Sequence, residues 1–289
     1  MTIADAEKRL GIRIKNICGV PVEDLLAEAN YTIEEEDPAL NSKDKVYNQI
    51  VQFLVIEGYP SEENPDFNIN DLVYATISPV IFDFIGKTGR NGMQLLREKE
   101  IVSVDSETGG VEEFVMVDQI SVTEEKVVFI IEAKRTPIGQ AMEQCLLSLK
   151  DARDGNGAAV VYGFVTTGEH WRMLRSDGTS FLKSRMITVV FDGMEKKKEP
   201  WMKECSMLVD CLFAALSNGG VTTCEYGFST EMFMKSNLIQ GILLSSKRDG
   251  AEPHVAKRGD CLLEGGNIFI YRCTIVLDMN TRSPMSEAN

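Results

Sequence analysis

The sequence predicts an α/β protein built on a mixed β-sheet flanked by helices, and three observations carry that reading. Apolar residues recur with a helical period up to about residue 85 and with a strand period from about residue 93. The run Val127-Val128-Phe129-Ile130-Ile131 is apolar on both faces, as in a central strand covered from both sides. A helical segment separates that run from the next apolar strand, and a helical crossover lays the second strand parallel to the first.

Taken in order, residues 1–85 form a helical N-terminal region that belongs in part to the core. One amphipathic stretch spans residues 3–16, and another runs from Lys43 to Glu57 with Val46, Ile50, Val51, Leu54 and Val55 on its apolar side. The acidic run Glu34-Glu35-Glu36-Asp37 reads as a solvated loop. Tyr59–Pro65 is a loop by its Pro and polar content, and Ile69–Ile85 resumes a helix that Pro79 interrupts.

Three strands follow: Met93–Val104, Glu113–Val122 after a turn at Glu107-Thr108-Gly109-Gly110, and the apolar run that ends at Lys134. They form an antiparallel meander. A helix from Ile138 to Arg153 closes at Asp154-Gly155-Asn156-Gly157, a glycine-rich stop. Strands at Ala158–Thr166, Glu169–Leu174 and Met186–Phe191 come next, then a helix over Trp201–Ser217. The extension 218–289 carries a strand at Ile268–Leu277 and frays over its last dozen residues.

Composition narrows the function. With 289 residues and 44% hydrophobic content the chain supplies an ordinary core. The net charge is −14, yet residues 1–85 hold 6 basic and 16 acidic side chains, whereas residues 86–193 hold 13 and 16. Acidity therefore concentrates away from the central strands, and carboxylates that bind a metal count as negative until it arrives. The seven cysteines include no Cys-x-x-Cys pair and stand beside only two histidines, so neither a zinc site nor a disulfide framework is expected. No run reaches the roughly 18 apolar residues of a membrane span, and Met1–Lys8 has no signal-peptide pattern. The expectation is an intracellular protein, cytoplasmic or nuclear, with no membrane partner. Gly86-Lys87-Thr88 imitates the end of a phosphate-binding loop, but Ile81 stands where its first glycine belongs.

The candidate site begins with Glu132-Ala133-Lys134, where alternation puts Glu132 and Lys134 on one face with Val128 and Ile130. Unlike charges ending a buried strand are tolerated when paired, solvated or bound to metal. On the preceding strand Asp118 is the polar member of the stripe Phe114, Met116, Asp118, Ile120, Val122. Folded as a hairpin through Thr123–Lys126, the two strands are expected to bring Asp118 and Glu132 onto one cation. Carboxylate oxygens suit Mg²⁺ or Mn²⁺, and a lysine beside them stabilises the charge of a phosphodiester under attack by water.

Asp118 and Glu132-Ala133-Lys134 resemble the active-site motif of the PD-(D/E)XK nuclease superfamily, and the order strand, strand, strand, helix, strand is similar to its restriction-endonuclease-like core over roughly residues 45–193. Gln140-Ala141-Met142-Glu143-Gln144 resembles the Gln-bearing helix of some branches. Tyr162–Trp171 is similar to the following hairpin of the Crinkler-type members of fungi and oomycetes. The resemblance implies a nuclease-like core over residues 86–217, with Asp118, Glu132, Lys134 and Gln144 as catalytic residues. Asp118 and Glu132 would hold Mg²⁺ or Mn²⁺, and DNA is favoured over RNA as substrate. Val117 stands where the name-giving proline belongs, and Glu57 is the candidate for the acid that many members carry on the first core helix. The other reading is an inactive nuclease-like fold that serves as a protein-interaction or effector module, favoured by the acidic first 85 residues.

Overall fold

The computed structural model describes residues 3–29, 38–60, 64, 67–102, 109–135 and 138–220. The acidic run at 34–37 and everything expected beyond residue 220, including the strand at Ile268–Leu277, lie outside the described residues.

The sheet grows from the central apolar run outward. Strands β1 (Gly19–Val20), β2 (Met93–Val102), β3 (Gly109–Gln119), β4 (Glu125–Ala133), β5 (Val161–Thr166), β6 (His170–Ser176) and β7 (Phe181–Ser184) lie in the order β1-β7-β6-β5-β4-β3-β2, and β8 (Ile187–Thr188) adds to β6. β2, β3 and β4 form the antiparallel meander expected from the sequence. β5 lies parallel to β4, as its helical crossover requires. The short strands β1 and β7 have no counterpart in the sequence reading. They pair parallel at the sheet edge, where two to four residues suffice.

Helices cover both faces. Helices α1 (Ile3–Leu10) and α5 (Ile138–Gly155) lie on one, burying Leu10, Ala141, Cys145 and Leu149 with Val115, Ile130 and Val165 of the sheet. The other face carries α2 (Val22–Glu28), α3 (Pro38–Glu57), α4 (Ile69–Thr88) and α7 (Met207–Asn218), packed on Phe114, Met116, Phe129 and Phe164. Between β8 and α7 the chain passes through α6 (Lys198–Pro200) and a π turn, Trp201–Cys205, so the helix expected as one piece from Trp201 comes in segments.

Helix α4 corrects the expectation that Pro79 interrupts it. The helix starts where the Asn68 side chain accepts from the N–H groups of Asn70 and Asp71, and it ends at Gly89 in the left-handed conformation. Proline costs one backbone hydrogen bond inside the helix. Burial of Leu72, Val73, Ile77, Val80 and Phe84 against α3, α7 and β4 outweighs that local loss. By length and composition α4 would cross a membrane; here its apolar stripe is part of the core.

A β-bulge corrects the expected alternation along β4. Met116 is opposite Phe129 but Val117 is opposite Val127, so Val128 is an extra residue. Val128 and Phe129 both join the α3/α4/α7 core, while Val127 and Ile130 face α5. Val128 therefore does not share a face with Glu132, as simple alternation had it. The buried Asn156, just past α5, donates to the Val127 carbonyl (2.7 Å) and accepts from its N–H (2.9 Å), satisfying the backbone beside the bulge.

Candidate active site

Glu132 ends a strand in which Ile131 and Ala133 point into the α3/α4/α7 core, so its side chain points to the α5 layer. It is fully buried. Lys134, one step past the strand, turns to the same side, and its Nζ lies 2.9 Å from Glu132 Oε1 and 2.7 Å from Glu113 Oε1. The Lys134 N–H donates to the Thr166 carbonyl at 3.0 Å, which extends the β4/β5 pairing and fixes the backbone that carries the lysine.

Glu112 and Glu113, at the start of β3, face this strand end. The register runs Phe114 opposite Ile131, which sets Glu113 beside Glu132. Glu112 is also fully buried, and its Oε1 accepts from Ser148 Oγ at 2.6 Å and from Gln144 Nε2 at 3.4 Å, both on α5. Gln144 Nε2 also donates to the Val111 carbonyl at 3.3 Å. Gly110 leaves the space this arrangement needs, because a Cβ there would stand 2.8 Å from Glu112 Oε1. A Cβ at Gly163 would likewise stand 2.7 Å from Cys145 Sγ, so that glycine lets α5 settle close to β5.

The electrostatics of the cluster are unusual. Glu132 Oε2 and Glu112 Oε2 are buried without a donor, and Glu132 Oε1 has the Lys134 ammonium 2.9 Å away. Their nearest polar neighbours include each other, and ionised carboxylates cannot donate to one another. Burial, then the Glu113 and Glu112 carboxyls, push Glu132 far above the usual carboxylate range, so without a cation it holds a proton. Burial opposes ionisation of Glu113 as well, but hydrogen bonds with Glu132 and Lys134 keep it below its ordinary value. For Lys134 burial opposes the charge, but hydrogen bonds with Glu113 and Glu132 overcome it and raise the ammonium pKa.

Asp118 is not part of this group, which corrects the expected metal pair. It is opposite Lys126, near the hairpin turn, six residues along β4 from Glu132 and so about 20 Å away. Its carboxylate instead pairs with Arg90, which also donates to the Leu216 carbonyl of α7 at 2.9 Å, on the far side of the sheet. Glu57 is exposed at the end of α3, where its carbonyl accepts from Asn64. Glu132, Lys134 and Gln144 do come together, and Glu112, Glu113 and Ser148 join them unforeseen. One signal in the sequence points to the two glutamates. Counting outward from the hairpin turn, the residue as far before it as Glu132 lies after it is at 112 or 113.

Carboxylate oxygens are the ligand type that would bind a hard divalent cation, with water completing its shell. Glu112 and Glu132 each keep a buried Oε2 without a donor, the ligand type of Mg²⁺ and Mn²⁺, which keep several waters. Among the described residues no three His, Cys, Asp or Glu side chains are arranged to enclose a metal by themselves. No protein-family model matches the chain, and no curated protein is found to match it.

Proposed function

We propose that the chain is a metal-dependent nuclease of the PD-(D/E)XK type, cleaving phosphodiester bonds of DNA in preference to RNA, with Glu112 rather than Asp118 as the acid that works beside Glu132. The observation that carries the reading is the pair of fully buried carboxyl groups, each with one oxygen that meets no donor, next to Lys134. Buried carboxyl groups with an unsatisfied oxygen are costly to keep and cluster where they have work to do. The order β2, β3, β4, α5, β5, with β5 parallel to β4, further supports a restriction-endonuclease-like core. So does the place of the cluster, at the carboxyl ends of these parallel strands, the usual position of sites in α/β sheets.

Glu112 and Glu132 would hold Mg²⁺ or Mn²⁺, which supplies Lewis acidity toward the phosphodiester and the attacking water. The rest falls to the chain. Ser148 and Gln144 fix the Glu112 carboxylate from α5. Lys134 is held as an ammonium by Glu113, so it acts by stabilising negative charge on the phosphate and not as a base.

The test is cleavage of single- and double-stranded DNA and of RNA in Mg²⁺ or Mn²⁺ by the wild type, Glu132→Ala and Lys134→Ala. Loss of roughly 100-fold or more in both variants is expected; equal activity in all three overturns the reading. A wild type that binds neither divalent cations nor nucleic acid in a salt-dependent way would instead favour the protein-interaction module.

A further inference from the structure

We infer that Arg172 is a substrate-positioning residue that binds a phosphate flanking the one cleaved; the inference rests on the nuclease reading above. Glu132 on β4 is opposite Val165 on β5, and Val165 is opposite Arg172 on β6. Directly opposed residues leave a sheet on the same face, and neighbouring strands are about 4.8 Å apart. Arg172 therefore starts on the face of Glu132, about 10 Å across the sheet from it. Val165 between them is buried in the α1/α5 layer. A nucleic-acid strand reaching from the carboxylates to Arg172 would pass the amino-terminal end of α5, which begins four residues after Lys134.

Other partly buried arginines near the sheet have partners. Arg9, Arg90, Arg153 and Arg175 pair with carboxylates, and Arg135 donates to the carbonyls of Asn64 and Phe67. Arg172 differs. Like Arg9, Arg153 and Arg175 it is partly buried and has a buried Nε without an acceptor, but among the described residues its guanidinium has no ion-pair partner. A partly buried guanidinium without a carboxylate partner gains from an anion that takes two N–H groups at once, and a phosphodiester is such an anion. A chain of net charge −14 also needs fixed cations where it meets a polyanion.

The experiment measures binding of a labelled DNA oligonucleotide to the full chain by fluorescence anisotropy in Ca²⁺ across a salt series. It compares the wild type with Arg172→Gln and Arg172→Lys, and steady-state cleavage is measured in parallel. Arg172→Gln is expected to weaken binding about ten-fold and to lower the slope of log affinity against log salt by about one, while Arg172→Lys keeps the slope. The cleavage loss should fall on KM, with kcat within about twofold. Wild-type affinity and slope in Arg172→Gln overturn the inference, as does a salt slope lost equally in Arg172→Lys. If Glu132→Ala abolishes cleavage while Arg172→Gln binds as the wild type, the positioning role alone has failed. If Glu132→Ala cleaves normally, the nuclease reading has failed, whatever Arg172 does.

Discussion

Glu113 holds Lys134 in place: its Oε1 lies 2.7 Å from the lysine Nζ, and its Oε2 accepts from the Ala133 N–H at 3.4 Å. One carboxylate thus grips both the side chain and the backbone of the Glu-x-Lys segment. The lysine is shared with Glu132, so its position depends on two acids that differ in protonation, Glu113 ionised and Glu132 neutral when no cation is bound.

Glu113→Gln keeps the shape and removes the charge that anchors Lys134. Cleavage in Mn²⁺ should fall about ten-fold in kcat while Mn²⁺ affinity, followed by calorimetry, changes less, because supporting residues of this kind orient a site without forming it. An unchanged kcat would show that Glu132 alone suffices to place the lysine.

The raised pKa of Glu132 makes stability depend on pH in a stated direction. Its folded value lies above the unfolded one, so the folded state binds the extra proton, and this stabilisation is complete below about pH 4.5 and is lost as pH rises toward the folded pKa. In EDTA the thermal midpoint should decline from about pH 5 to about pH 9, with a slope of at most about 1.4 kcal/mol per pH unit from this group. Glu113, held low, acts in the opposite sense and only toward acid pH. Glu132→Gln should flatten the decline; parallel profiles for variant and wild type would mean that Glu132 is ionised in the folded protein.

Asp118→Asn separates the pairing expected from sequence from the one the fold makes. It removes the ion pair with Arg90, a partly exposed contact whose loss should lower stability by about 1 kcal/mol in urea denaturation. Cleavage should stay within about twofold of the wild type. A large loss of activity with unchanged stability would return Asp118 to the site.

Much of the fold was legible because it follows from local pattern. The two-faced apolar run at 127–131 marks a central strand, and the period change near residue 90 divides helices from sheet. The helix between Ile138 and Gly155 forces β5 parallel to β4. Glu132, Lys134 and Gln144 were legible for the same reason, since each is placed by its own element. Pro79 was misread because propensity is local, whereas the burial that keeps α4 continuous comes from α3, α7 and β4.

What the sequence by itself determined, then, is the set of elements and the Glu-x-Lys at the end of a buried strand. Tertiary structure decided which acid meets it. Alternation puts Glu112 on one face with Asp118 and Phe114, whereas in the fold its carboxyl meets Ser148 and Gln144 of α5. Hairpin register separates Glu112 from Asp118, setting Asp118 at the turn with Lys126 and Glu112 and Glu113 at the far end with Glu132. Alternation also fails locally, because a strand can absorb an extra residue, as β4 does at Val128, when the helices packed on either side accept the change of face.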